Sequence, residues 1–217
     1  MVGYRRVVKL ITVLVFAALA VSAIFAIPAS AESESYWILI ISVKRIKLLE
    51  PVDPWPGHEH GEIYIKYWIA TGTIIGEYNL PTEIPKTPFT PKYEREYETP
   101  YKSLKVGKIY TYGLDIYEAS FYVPCGDFPE LNVYTGGTCN SVLINVKIYD
   151  EDLWIRGYSD DLLGEYPSSN DPYIKYPIRV FEFIKVTKLV PGEDSSFTIL
   201  TDKIFAEFEV TWERVDP

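Results

Sequence analysis

The chain has 217 residues, enough for one β-rich domain with its own core, and a content of 47% hydrophobic and 15% aromatic residues excludes a disordered polymer. Its net charge is −9; residues 1–31 hold three of the 21 bases and none of the 30 acids, which leaves residues 32–217 at −12. That balance argues against nucleic-acid binding, which needs basic surface to displace counterions.

The first segment reads as a targeting element. Arg5, Arg6 and Lys9 precede an apolar run from Leu10 to Ile27, and Ala29-Ser30-Ala31 closes it. Two readings stand: a secretory signal peptide cleaved after Ala31, or an uncleaved anchor helix, since the apolar run is long for a signal peptide. Under either, residues 32–217 form a domain outside the cytoplasm, secreted or extracellular. Gln is absent and Met occurs once, while Lys, Glu, Ile and Tyr abound, a composition that leans towards thermophile proteins.

Tyr36 to Leu49 is a long apolar run of β type, stopped by Pro51. Residues 51–61, with three prolines and two glycines, are loop. Within it His58-Glu59-His60 lacks the spacing of a zinc protease, so its histidines are read as solvated. Glu62 to Ala70 alternates, with Ile63, Ile65, Tyr67 and Ile69 on one face and Glu62, Tyr64, Lys66 and Trp68 on the other, and predicts a strand. Residues 81–100 contain five prolines, which predicts a long loop or an edge insertion. Leu104–Ile109 predicts a short strand, and Asp115–Val123 another, with Tyr117, Ala119, Phe121 and Val123 on one side. Cys125 and Cys139 are the only cysteines; an even number in an exported chain predicts a disulfide. It closes a loop of 15 residues, worth on the order of 3 kcal/mol in the chain-entropy model.

Val142, Ile144, Val146 and Ile148 then define the core face of a further strand, and the same parity continues onto Asp150 and Asp152. Carboxylates in an inward register lose hydration and repel one another, at a cost of several kcal/mol unless they are compensated. With Asp160 and Asp161 one loop away, hard oxygen donors converge at the end of a strand, and such donors favour Ca²⁺. A turn at 166–172, a strand at Ile178–Val186, a turn at 191–196 and a last strand at Phe205–Trp212 complete the chain. The total is an all-β, antiparallel β-sandwich of about eight strands.

The run Tyr149-Asp150-Glu151-Asp152, followed after a loop by Asp161-Leu162-Leu163-Gly164, resembles the third calcium-binding loop of C2 domains. The loop is longer than the family's, so Asp160 and Asp161 are alternative ligands. A strand, a loop and then Glu62-Ile63-Tyr64-Ile65-Lys66 is similar to the family's first calcium loop, with Asp53 and Glu62 in the acidic positions. Glu replaces Asp there, and the loop is again too long. The resemblance implies a C2-like sandwich in which Asp53, Glu62, Asp150, Asp152 and Asp160 or Asp161 hold Ca²⁺. It also implies contact with a membrane or another anionic surface, with Trp55, Trp154 and Ile155 near the loop tips. The first strand feeding the first acidic loop directly looks like the permuted strand order found in part of the family.

An enzyme is not expected. The two histidines share one loop, and neither a Gly-x-Ser-x-Gly elbow nor a phosphate-cradling glycine loop occurs. The acids cluster too tightly in sequence for a glycosidase pair. The alternative function is a structural or adhesive surface module with calcium only structural, glycan binding through its tyrosines and tryptophans being one form of it.

Overall fold

A computed structural model describes residues 36–52, 59–73, 90–123, 141–151, 160–179 and 182–216. Among these, two antiparallel sheets face each other, as the alternating patterns predict.

The first sheet is built on β1 (Tyr36–Leu48). One edge of β1 pairs along its whole length with the last strand, β12 (Ile204–Val215), which in turn pairs with β11 (Ser195–Leu200). Its other edge is shared by β5 (Ile109–Tyr110) and β6 (Ala119–Val123). Leu39, Ile41 and Val43 are buried, then Ile46 and Leu48. That change of parity is a bulge: the register with β12 shifts between Val43 and Arg45, and the extra residue returns the apolar side chains to the core.

The second sheet is built on β2 (His60–Thr73) and β7 (Ser141–Asp150), paired in register from Ile63↔Asp150 to Gly72↔Ser141. β3 (Thr90–Glu98) and β4 (Lys102–Lys105) share the outer edge of β2. β8 (Asp161–Tyr166) and β10 (Glu182–Leu189) share the outer edge of β7, and β9 (Ile174–Arg179) pairs with β10.

The main core lies between the sheets, with Ile63, Ile65, Tyr67 and Ile69 of β2 meeting Ile144, Val146 and Ile148 of β7 and the inward residues of β1 and β12. Each such buried side chain contributes about 2 kcal/mol against conformational entropy. The predicted strand at 115–123 starts late: Asp115–Tyr117 is a 3₁₀ turn and β6 begins at Ala119. Tyr117 nevertheless keeps its inward place, donating its hydroxyl to the Ile63 carbonyl at 2.9 Å, while the Tyr67 hydroxyl donates to the Tyr117 carbonyl at 2.6 Å. The proline-rich 81–100 region contributes an edge strand, β3, whose register slips between Thr71 and Gly72, opposite Pro91.

Three expectations are corrected. The short strand at 104–109 is instead two pieces on different sheets, β4 and β5, separated by a turn in which Gly107 takes φ 78°. Ile178–Val186 is not one strand but the inner parts of the β9–β10 hairpin. That hairpin's Ile174, Tyr176 and Val186 pack on Trp68, Ala70 and Leu143, forming a second apolar cluster. The outward faces of β2 and β7 are therefore partly covered, where simple alternation predicts solvent. Finally, β11, with Phe197 and Ile199 buried, begins inside the predicted turn at 191–196 and runs through residues that the pattern leaves unassigned.

Candidate metal and contact pole

Chain direction brings several acids to one end of the sandwich. β1 ends there, β2 starts there, β7 ends in Asp150 and β8 starts at Asp161. Asp150 and Asp161 are direct cross-strand partners.

Asp150 occupies the inward register that parity predicts, at 3% exposure. One of its carboxylate oxygens accepts the Glu62 backbone N–H at 2.7 Å, and the Glu151 N–H donates to the Glu62 carbonyl at 2.8 Å. The end of β7 and the start of β2 are thus clasped in both directions. Gly61 makes the clasp sterically feasible: a Cβ there would lie 2.9 Å from Asp150 Oδ1 and 2.8 Å from a Val52 methyl. Burying the charge is tolerable because it gains a charge-assisted bond.

The remaining described acids sit around this clasp. Glu62 is exposed, and Glu151 is half-buried. Burial, then the charges of Glu62, Asp160 and Glu98, push the Glu151 carboxyl above its usual range. Asp160 accepts the Tyr64 hydroxyl at 2.6 Å. Burial and that bond raise the Tyr64 hydroxyl far above the usual tyrosine range. Tyr64 stacks on Tyr149 at 5.3 Å, and the Lys66 ammonium lies 5.5 and 5.3 Å from the two ring centroids. Asp161 pairs with Lys203 at 3.3 Å, across to the turn between β11 and β12. The same turn donates the Thr201 hydroxyl to the Leu163 carbonyl at 2.9 Å, and so ties the two sheets together at this end.

Of the predicted ligands, Asp150, Asp160, Asp161 and Glu62 therefore gather at one pole. Asp53 and Asp152 lie outside the described residues, as do Trp55, Trp154, Ile155 and the cysteines Cys125 and Cys139. Among the described residues, no group of three or more His, Cys, Asp or Glu side chains is placed to hold one metal ion. The described donors are hard oxygens of the kind Ca²⁺ takes. Tyr64, Tyr149 and Lys203 are the pole residues that sequence reading misses. The two tyrosines read as ordinary outward strand positions, and no local pattern links Lys203 to a site some forty positions away.

No protein-family model matches the chain, and no curated protein does. Solved structures similar to it include a C2 domain of a plant extended synaptotagmin 1, at 13% identity and TM-score 0.36, covering 83% of this chain and 96% of that one. A human GIVD cytosolic phospholipase A2 in complex with methyl gamma-linolenyl fluorophosphonate is similar at 13% identity and TM-score 0.41. The match covers 82% of this chain and 17% of the phospholipase, so the chain spans less than a fifth of that protein.

Proposed function

We propose that the chain is an exported binding module, not an enzyme, that takes up Ca²⁺ at its acidic pole and uses that pole to contact a membrane or another anionic surface. The observation that carries this reading is Asp150: a carboxylate at 3% exposure in the last inward position of β7, with Glu62, Asp160 and Asp161 gathered around it. The Glu151 carboxyl beside it is pushed up first by burial and then by the charges of Glu62, Asp160 and Glu98. A divalent cation relieves that repulsion and leaves coordination positions for phosphate or carboxylate oxygens of a partner. Asp150 and Asp152 are the central ligands in this reading, supported by Asp160 or Asp161, Asp53 and Glu62, and Trp55, Trp154 and Ile155 flank them in sequence.

The experiment is thermal melting in millimolar calcium against chelator. A ligand selective for the folded state raises the melting temperature. The double change Asp150→Asn, Asp152→Asn abolishes the rise. Identical melts of the parent protein in calcium and chelator would rule the proposal out.

A second reading is an adhesive or glycan-binding surface module with calcium only structural. It is favoured by Tyr101 and Tyr112, exposed to 57% and 88%. Polysaccharide binding that survives chelation selects it. Calcium-dependent liposome binding that is lost in Trp154→Ala selects the first.

A further inference from the structure

Three polar side chains meet where β7 changes neighbours. Its outer edge passes from β10 to β8 within a single residue: Ile144 still pairs with Thr187, and Val146 already pairs with Tyr166. Asn145 lies at that junction, at 3% exposure. Its side-chain nitrogen donates to the Lys185 backbone carbonyl at 2.8 Å and to one carboxylate oxygen of Glu165 at 3.1 Å. The other Glu165 oxygen pairs with the Lys185 ammonium at 2.9 Å. One carboxylate thus touches both an amine and a carboxamide, each at a distance over which a carboxyl group transfers protons.

The surroundings are apolar. Trp68 is the cross-strand partner of Asn145, Leu143 precedes it by two residues, and Val186 follows Lys185; all three belong to the second apolar cluster. The Tyr173 ring lies 5.9 Å from the Lys185 ammonium. Side-chain exposures of 30% for Lys185 and 17% for Glu165 leave this ion pair partly desolvated, which makes its charges costly to keep. A lysine that hands its proton to the neighbouring carboxylate sheds that cost and becomes a nucleophile. The carboxamide beside it is held in place by the two bonds from its own nitrogen.

We propose that Lys185 and Asn145 join in an intramolecular isopeptide bond, with Glu165 as the catalytic acid and base. Glu165 takes a proton from the ammonium, the freed Nζ attacks Asn145 Cγ, and an Nζ–Cγ bond forms. The Cγ–Nδ2 bond then breaks, and both protons that Nζ gives up leave on the departing nitrogen. A lysine ammonium and a carboxamide become a secondary amide and an ammonium ion, so the step needs no oxidant and no second reactant. The bond links β7 to β10 covalently at the point where their backbone ladder ends. Neither calcium nor a contact partner enters it.

Mass spectrometry of the purified chain, reduced, denatured and digested with trypsin, reads the bond directly. Residues 109–147 should appear joined to residues 180–188, uncut at Lys185. The joined species is lighter than its two peptides together by one ammonia, about 17 Da. Fragmentation should place the branch between Asn145 and Lys185. Lys185→Arg, which keeps a cation beside Glu165, should give only separate peptides, and Glu165→Gln should leave most of the chain unlinked. Full linkage in Glu165→Gln would overturn the role given to that carboxylate. Separate peptides from the parent protein, with Asn145 and Lys185 unmodified, overturn the bond itself, and this digest decides the matter even should either variant fail to fold.

Discussion

Asp150 and Glu62 are joined across the ends of β7 and β2 by a bond from the Glu62 backbone N–H to Asp150 Oδ1 at 2.7 Å. The buried acid thus has a structural partner of its own besides any ion. Asp150→Ala removes the acceptor and strands a backbone donor, at a cost of about 2 kcal/mol. For a domain of this size that lowers the melting temperature by roughly 6 °C. Asp150→Asn keeps an acceptor oxygen and costs less. Urea melts of the two variants in chelator separate this structural role from metal binding. Equal losses in both would show that the charge, rather than the acceptor, stabilises the clasp.

Gly164 of β8 packs directly against side chains of the facing sheet. A Cβ on it would lie 2.5 Å from the Ile199 Cγ2 methyl and 3.3 Å from that of Ile204. Both neighbours are packed core side chains, at 2% and 0% exposure, so neither can give way freely. Gly164→Ala is expected to destabilise by about 1–3 kcal/mol through overpacking. The denaturation midpoint falls while the slope stays constant. An unchanged midpoint would mean that β8 relaxes away from the β11–β12 turn at no cost.

Tyr67 and Tyr117 form a buried relay from β2 through the 3₁₀ turn and back to β2, with donor–acceptor distances of 2.6 and 2.9 Å. Tyr117→Phe leaves the ring in place and loses the bond to the Ile63 carbonyl, so a cost of about 1 kcal/mol is expected. Tyr67→Phe should cost a similar amount. A double-mutant cycle then reads their coupling, since groups that share one network rarely add. Strict additivity would show two independent bonds.

Alternation carried most of the fold. β2, β7 and β12 are legible because alternation puts one apolar face inward, β1 is legible as a long apolar run of β type, and Asp150 is legible as an inward acid by the same count. The β9–β10 hairpin is not, because apolar residues on both faces of 178–186 read as one buried strand. Those residues instead belong to two strands, some of whose side chains cover Trp68 and Leu143. The bulge in β1 is also silent, since an extra Lys between two apolar sets looks like ordinary surface. At the pole, sequence cannot assign Asp160 against Asp161. Their separation is tertiary: Asp160 goes to Tyr64 on β2, and Asp161 to Lys203 from the other sheet.

Glu151 offers a pH test of the charge at the pole. Its carboxyl is raised above 4.5, first by burial and then by Glu62, Asp160 and Glu98. The folded state therefore holds the proton more tightly than the unfolded chain does. Stability contributed by this group is greatest when it is protonated, falls as pH rises from about 4.5 through the raised folded value, and stays reduced above it. Glu151→Gln removes that penalty, so the variant should melt above the parent at pH 7 and level with it at pH 4. Because the half-buried side chain keeps part of its contact with solvent, the gain is small and shrinks further in high salt. Calcium bound at the pole offsets the same repulsion, so it narrows the gap between variant and parent at pH 7. Melting curves of the two proteins at both pH values, with calcium and with chelator, decide the point. A gap that grows on acidification would reverse the assigned direction of the shift.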